Sequence, residues 1–346
     1  MKDLKYVFAY ATPLTAVIGL WQTSYWVFFT PIFAFVVVPF LETLMPVATQ
    51  NLSDEEALSK NKNKFFNVLL YLNLPIVYGL VGYFLWSLSF ENYSTVELIG
   101  LTISVGIVVG SNGINVAHEL GHRTLQFEKT LGKLLLLPAL YMHFFIEHNF
   151  GHHLHAATPE DPATAKYNQS VYSFWFTSIT RQYSNAWRIQ KDLLKRASLS
   201  FLNYKNDMFW YTVFQIGYLL TVYLLFGGLA TLLAVCIGLM GIILLETINY
   251  IEHYGLKRSK TASGRYERVT EIHSWNSNHV LGRILLYELT RHSDHHYKAH
   301  KKYQLLEYHD VSPQMPYGYT TSMVLALLPP LWFTTMNKLI PIAMRS

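Results

Sequence analysis

Long apolar runs separated by short polar joints dominate the chain. Four runs occupy Tyr6 to Leu20, Tyr25 to Leu44, Phe65 to Leu88 and Val96 to Ala117, and two more cover Phe209 to Phe226 and Leu229 to Ile248. Crossing about 30 Å of hydrocarbon takes roughly 20 helical residues, so the pattern predicts an all-α integral membrane protein built as a six-transmembrane-helix bundle. Two further apolar stretches, Leu131 to Phe145 and Thr320 to Trp332, are short and interrupted by Pro138 and by Pro329-Pro330. They read as interfacial or re-entrant helices. Between the second and third runs, Ser53 followed by Asp54, Glu55 and Glu56 predicts a short N-capped helix.

Charge then orients the bundle. The joints at Leu20 to Ser24, Ser89 to Thr95 and Gly227-Gly228 carry no Lys or Arg. The others carry Lys60, Lys62 and Lys64, then Arg123 through Lys205, then Lys257 through Lys302. Because basic residues collect on the cytoplasmic side, both termini and the regions 118–208 and 249–346 are expected inside, in a bacterial cytoplasmic membrane. Composition agrees: 51% hydrophobic against 14% charged residues is too little charge for a soluble chain, which averages about 25%. No linker-like break interrupts the sequence, so residues 1–346 read as one domain. A net charge of +5 needs no nucleic-acid partner when its basic residues follow the membrane topology. The single cysteine, Cys236, leaves no disulfide framework and no iron–sulfur ligand set.

All fifteen histidines follow the fourth run and fall in the predicted cytoplasmic regions or at span ends. His118 and His122 are spaced i, i+4; His148, His152 and His153 are spaced i, i+4, i+5; His292, His295 and His296 are spaced i, i+3, i+4. On helices each set points to one side, and converging imidazoles suit iron, copper, nickel or zinc. His253 ends a polar stripe with Glu246 and Asn249 along the last run, where polar residues are costly unless they serve a site. Glu119, Glu147, Glu252 and Asp294 stand beside these histidines, placed to orient imidazoles or to form plain ion pairs and caps. His143, His155, His273, His279, His300 and His309 fall outside the spacings and read as structural. Glu119 and His122 make one Glu-x-x-His unit without the second that ferritin-like sites need, so the site is histidine-rich.

These segments resemble the membrane-bound alkane 1-monooxygenase family, within the membrane fatty-acid desaturases and hydroxylases. The resemblance rests on His118-Glu119-Leu120-Gly121-His122, on Glu147-His148-Asn149-Phe150-Gly151-His152-His153 and on Ala157-Thr158-Pro159-Glu160-Asp161-Pro162. It continues through Asn249-Tyr250-Ile251-Glu252-His253-Tyr254-Gly255, His273-Ser274-Trp275-Asn276-Ser277 and Arg291-His292-Ser293-Asp294-His295-His296. Thr290 stands where the family more often has Gln, and the chain is shorter than many members. The resemblance implies a cytoplasmic di-iron cap held by His118, His122, His148, His152, His153, His253, His292, His295 and His296. Support is expected from Glu119, Glu147, Asp161, Asn249, Glu252 and Asp294. It further implies terminal hydroxylation of medium-chain alkanes with dioxygen, and two electrons from a rubredoxin-type or ferredoxin-type carrier with its reductase. Fatty-acyl desaturation or hydroxylation and aromatic-methyl (xylene-type) hydroxylation are the alternatives within the class.

With no phosphate-cradling glycine fingerprint after a strand, direct nicotinamide binding is not expected, nor is a bound flavin or haem. A hydrocarbon entering from the bilayer has Trp21, Tyr25, Trp26 and Phe29 as candidate channel residues, although such aromatics also form interfacial belts. An acidic electron donor has Lys257, Arg258 and Lys260 as a candidate docking patch. Two readings from other classes use the same residues. His118-Glu119-x-x-His122 matches a zinc metalloprotease motif, but that site would leave most clustered histidines idle. A metal transporter would want ionisable groups near the membrane midplane, which the first three runs lack.

Overall fold

The computed structural model describes residues 2–345, which are helical wherever they are regular; among them extended backbone pairs only at isolated bridges. Five helices are long and apolar enough to cross a membrane: α1 (Asp3–Gln22), α2 (Ser24–Leu44), α3 (Phe65–Ser87), α4 (Thr95–Gly121) and, after the more polar α5 (Val171–Arg196), α6 (Asp207–His253). The chain is thus an all-α membrane protein. Helix starts are chemically marked. Ser94 and Glu97 form a reciprocal capping box at α4, and Ser53 with Glu56 forms another on the short helix Asp54–Lys62, as its sequence predicts.

The fifth and sixth apolar runs are two helices, the two arms of α6, which meet at a kink. As a straight rod its 47 residues would be about 70 Å long, more than twice the hydrocarbon thickness. Gly227, with φ 81° and ψ −175°, breaks the helical geometry in a region that only glycine enters readily. The chain folds back there. Gln215 on one arm accepts a hydrogen bond from Met142 N at 3.1 Å, while Gly238 on the other lies against the Ala139 carbonyl, which a side-chain carbon would meet at 2.9 Å. Ala139 and Met142 are close neighbours, yet 215 and 238 would stand about 34 Å apart on a straight helix.

α4 is the central helix, and small and polar residues fix it in place. Gly106 faces Met240 of α6 closely enough that an added methyl would clash, the small-residue contact by which membrane helices approach. Ser104 donates to Val27 O of α2 at 2.6 Å, and Asn112 donates to Asn73 Oδ1 of α3 at 2.8 Å. Such bonds average about 0.6 kcal/mol each within a bilayer; their role is to set register more than to supply stability. The stretch Leu131 to Phe145 is a short helix, Gln126–Leu135, followed by turns, and Thr320 to Trp332 divides into Tyr319–Ala326 and Pro329–Met336. Both are too short to cross.

Three π-helical turns interrupt the α geometry, at Phe33–Val37, Val109–Ile114 and His148–His152. Such turns concentrate at functional sites. Here all three supply wall residues to one internal cavity.

Candidate metal centre

Four segments deliver the clustered histidines to one end of the bundle. The last turn of α4 carries His118, with His122 just beyond it; the π turn and its continuation carry His148, His152 and His153. α6 ends on His253, and a short buried helix, His292–Tyr297, carries the rest. The imidazoles fall into two groups. His118, His122, His148, His153 and His295 form one, and His152, His253, His292 and His296 form the other, with the potential ligand atoms of each group within 4.8 Å of one another.

The spacing rule does not sort them, because each triad is shared between the groups. In the π turn the His153 amide bonds the His148 carbonyl five residues back, so the wider turn stacks 148 and 153 and turns His152 away to the second group. On the short α-helix, His292 and His296 share a face at i, i+4, and His295 points to the first group.

The geometry tests whether a metal fits. In the first group the Nε2 atoms of His122, His148 and His153 lie 3.0, 3.0 and 3.1 Å apart. Each such nitrogen is a donor or an acceptor, not both; at least two of three in mutual contact are therefore alike and repel. In the second group, His292 Nε2 stands 2.9 Å from that of His296 and 3.2 Å from that of His253, and His152 stands 3.2 Å from His296. Two nitrogens about 2.1 Å from one ion and at right angles stand about 3.0 Å apart, which matches these separations. Both ring nitrogens of His295 and Nε2 of His118 are buried without a partner. The first arrangement is repulsive without a cation, and both are ordinary around one. The histidine groups fit non-haem iron among the metals that imidazole suits.

Burial and mutual repulsion hold His122, His148, His153, His292, His295 and His296 well below the usual imidazole range, leaving their lone pairs available near neutrality. His152 is the exception. Burial works against its charge, but Asp161, 3.0 Å from its Nδ1, holds it above the ordinary value. The same contact keeps the Asp161 carboxyl low against its own burial.

The other supporting candidates divide. Glu252 places Oε2 3.2 Å from His292 Nε2 and accepts a 2.9 Å bond from Tyr319. Glu147 is pushed up by burial and by Asp161; one oxygen accepts from Asn185 at 3.0 Å and the other is unpartnered. Glu119 turns instead to Arg123 at 2.8 Å and to Tyr303 N. Asp294 binds Lys301, His309 and the Glu307 amide. The Lys301 ammonium sits between Asp294 and Glu307, 2.7 Å from each, so this acidic cluster already holds its cation. Asn249 donates to Glu246 at 3.3 Å. Of the histidines outside the spacings, none joins either group; His155 pairs with Glu160 and His273 with Glu267.

His118, His148 and His292, with Asn249 and Glu252, form part of the wall of a largely apolar cavity, whose other polar wall residues are Thr12, Ser111, Asn115 and Thr320. Its remaining wall includes Phe33, Phe35, Ile107, Leu244, Leu285 and Met323. The aromatic channel candidates do not line it. Trp21 and Tyr25 are 80% and 87% exposed, and Trp26, also exposed, packs edge-on to half-buried Phe29 at 5.6 Å. Their place at the α1–α2 turn suits an interfacial belt. No run pattern marked Phe33 and Phe35 as wall residues, because a π turn has no apolar signature of its own.

Of the docking candidates, Arg258 is turned inward, donating to Leu154 O at 2.7 Å and Glu267 O at 3.0 Å. Lys257 is half-buried and Lys260 exposed. Reasoning from sequence passed over two surface clefts that meet at Phe150 and Asn149. One reaches His122 and carries Arg123, Lys129, Lys133 and Lys205; the other carries Arg181, Arg188 and Arg196.

A family model for the fatty acid desaturases matches residues 94–325. The chain is 42% identical to alkane 1-monooxygenase 2 of Pseudomonas aeruginosa, over 79% of this chain and 73% of that one. It is 37% identical to alkane 1-monooxygenase 1 of the same species, over 91% and 83%. It is also 27% identical to the xylene/toluene monooxygenase hydroxylase component XylM of Pseudomonas putida, over 98% and 89%. The chain belongs to the fatty acid desaturase family, and within it to the alkane 1-monooxygenases.

Proposed function

We propose that this enzyme hydroxylates the terminal methyl group of medium-chain n-alkanes, giving 1-alkanols, with dioxygen and two electrons from a rubredoxin-type carrier. The observation that carries the reading is the meeting of two imidazole groups with one apolar cavity. His118, His122, His148, His153 and His295 would hold one iron, and His152, His253, His292 and His296 the other. Bound iron supplies the activation of dioxygen and the oxidation of an unreactive C–H bond.

The chain's own residues bind, orient and exclude water. Burial of each methylene against Phe33, Phe35, Ile107 and Leu285 stabilises the bound hydrocarbon by about 0.8 kcal/mol. No Lys or Arg lines the cavity, so the carboxylate of a free fatty acid would lack a basic side chain to pair with there. Asp161 holds a proton on His152 Nδ1 and so leaves its Nε2 lone pair for metal. Tyr319 fixes Glu252 beside His292.

Counting both arms of α6, the chain crosses the bacterial cytoplasmic membrane six times, with the histidines and both termini inside. The support is the basic content of the joints on that side. An acidic carrier would dock over Phe150, which is 48% exposed and lies two residues from both His148 and His152. Lys129 and Lys205 flank it on one side. Lys257 and Lys260 extend the same face, since Arg258 ties their segment to Leu154 on the rim. Charge reversal at Lys129 and Lys205 should raise KM for the carrier, more so at low salt, and leave KM for alkane unchanged.

The test of the whole reading is metal content together with product analysis of membranes given octane, dodecane or a xylene, a rubredoxin and its reductase. Two irons per chain and 1-alkanols support it. Zinc without iron, and no oxygen-dependent alcohol, overturn it. The relationship to XylM supports a second reading, methyl oxidation of aromatics, which a methylbenzyl alcohol as the main product would establish instead.

A further inference from the structure

Helix α5 presents a polar stripe, Ser178, Gln182 and Asn185, on its buried side. The spacing i, i+4, i+7 places all three on one face. Asn185 serves Glu147; the other two converge on Glu246 of α6, which is fully buried. Oε1 of Glu246 accepts from Tyr141 OH at 3.0 Å and from Gln182 Nε2 at 2.8 Å. Oε2 accepts from Ser178 Oγ at 2.7 Å, Gln182 Nε2 at 2.9 Å and Asn249 Nδ2 at 3.3 Å. Every neighbour donates, and no Lys, Arg or His bonds to this carboxylate.

The amide groups of Gln182 and Asn249 donate and complement a carboxylate ion, while the hydroxyls of Tyr141 and Ser178 can donate to it as well. An ion this deeply buried is costly without positive charge nearby. The network abuts the histidines from two directions. Asn249 lines the cavity beside Glu252 and lies one turn before His253. Tyr141 stacks on Phe144, and Phe144 on His148, with ring centres 6.2 and 4.8 Å apart.

We propose that Glu246, seated by Tyr141, Ser178, Gln182 and Asn249, is a fixed counter-anion of the metal pair that lowers its reduction potential without touching either ion. The inference rests on the iron reading above. It makes Glu246 a positioning residue for charge, outside the set that the histidine boxes define. A nearby anion favours the more positive, oxidised pair; removing it shifts the equilibrium toward reduced iron.

The experiment compares the iron-loaded full chain in nanodiscs as wild type, as Glu246→Gln, and as the exchange Gln182→Glu with Glu246→Gln, which moves the charge across the same cradle. Readouts are iron per chain, midpoint potential by spectroelectrochemistry, and infrared difference spectra of wild type against Glu246→Gln. The expected result is a shift of about tenfold in the oxidised-to-reduced ratio for Glu246→Gln, which is 59 mV for one electron. The exchange variant should return toward wild type. Loss of iron in Glu246→Gln that the exchange restores also supports the proposal. An unchanged potential at full iron content overturns it, as does an exchange variant that behaves like Glu246→Gln. A wild type without iron instead defeats the iron reading. A protonated-carboxyl band assigned to Glu246 in the iron-loaded protein independently overturns the counter-anion.

Discussion

The two imidazole groups share a ligand type and differ in what stands behind them. In the group of His152, His253, His292 and His296 every member is buried, and carboxylates touch two of them: Asp161 at His152 and Glu252 at His292. In the group of His118, His122, His148, His153 and His295, His122 and His153 are only half-buried, and no carboxylate bonds an imidazole. Glu119 and Glu147 are sequence neighbours of that group but spend their hydrogen bonds on Arg123, Tyr303 N and Asn185. One group is therefore closed, with Asp161 behind His152 and Glu252 on the Nε2 side of His292, and the other is more open and faces the basic cleft at His122. On the function proposed above, the first group would retain its metal and the second would exchange with solvent and donor.

The largest expected effect comes from removing a ligand on either side. His296→Ala and His122→Ala should each lower iron content by one per chain and cut alkane oxidation by at least about 100-fold, measured by metal analysis and alcohol formation. Equal retention of both irons in either variant would break the two-group assignment.

Carboxylate variants sharpen the contrast. Asp161→Asn should weaken metal retention by about 10- to 100-fold, read by competition with a chromophoric chelator. Glu119→Gln removes half of a buried ion pair, and breaking such a pair costs about 3 kcal/mol. It should lower Tm while leaving metal retention near wild type. If the two variants exchanged phenotypes, Glu119 rather than Asp161 would be the residue that orients an imidazole.

Access gives a kinetic version of the same comparison. A water-soluble chelator should remove iron in two phases, the faster from the group containing His122 and His153. Phe150→Ala should speed that phase severalfold by opening the wall between the clefts.

Glu288 serves as a control for fold without metal. Burial alone would raise the Glu288 carboxyl, but Arg283 at 2.6 Å and the Tyr6 hydroxyl hold it below the usual carboxylate range. Its folded value lies under the unfolded value of about 4.3. The stabilisation is therefore present above that pH and is lost as pH falls through the folded value. Glu288→Gln should lower Tm at pH 7, with the difference shrinking in acid and iron content unchanged at neutral pH.

Much of this architecture was legible because its causes are local. An apolar run of about twenty residues has few fates other than a membrane helix, and Ser53 marks a helix start through a hydrogen bond three residues long. Even the fold-back at Gly227-Gly228 showed as a break between two runs. Other features had no local cause. His148, His152 and His153 read as one face of a helix, and the π turn divided them. Arg258 read as surface charge, and its bonds to Leu154 and Glu267 drew it inward. Glu246 belonged to a visible polar stripe, but its donors Tyr141, Ser178 and Gln182 come from segments distant in the chain.

By itself, then, the amino-acid order determined an all-helical membrane protein with its histidines gathered at one end of the apolar runs. Hydropathy, capping and i, i+4 spacing act over a few residues and need no partner. Only the tertiary structure decided which imidazoles meet, which acids face them and where the apolar cavity opens. Those outcomes depend on contacts such as His253 with His292 and His152 with His296, separated by 39 and 144 residues. Helix crossings, the reversal at Gly227 and the extra residue in a π turn set these separations, and a shift of a single turn in any of them would move a nitrogen by more than a metal–ligand bond length.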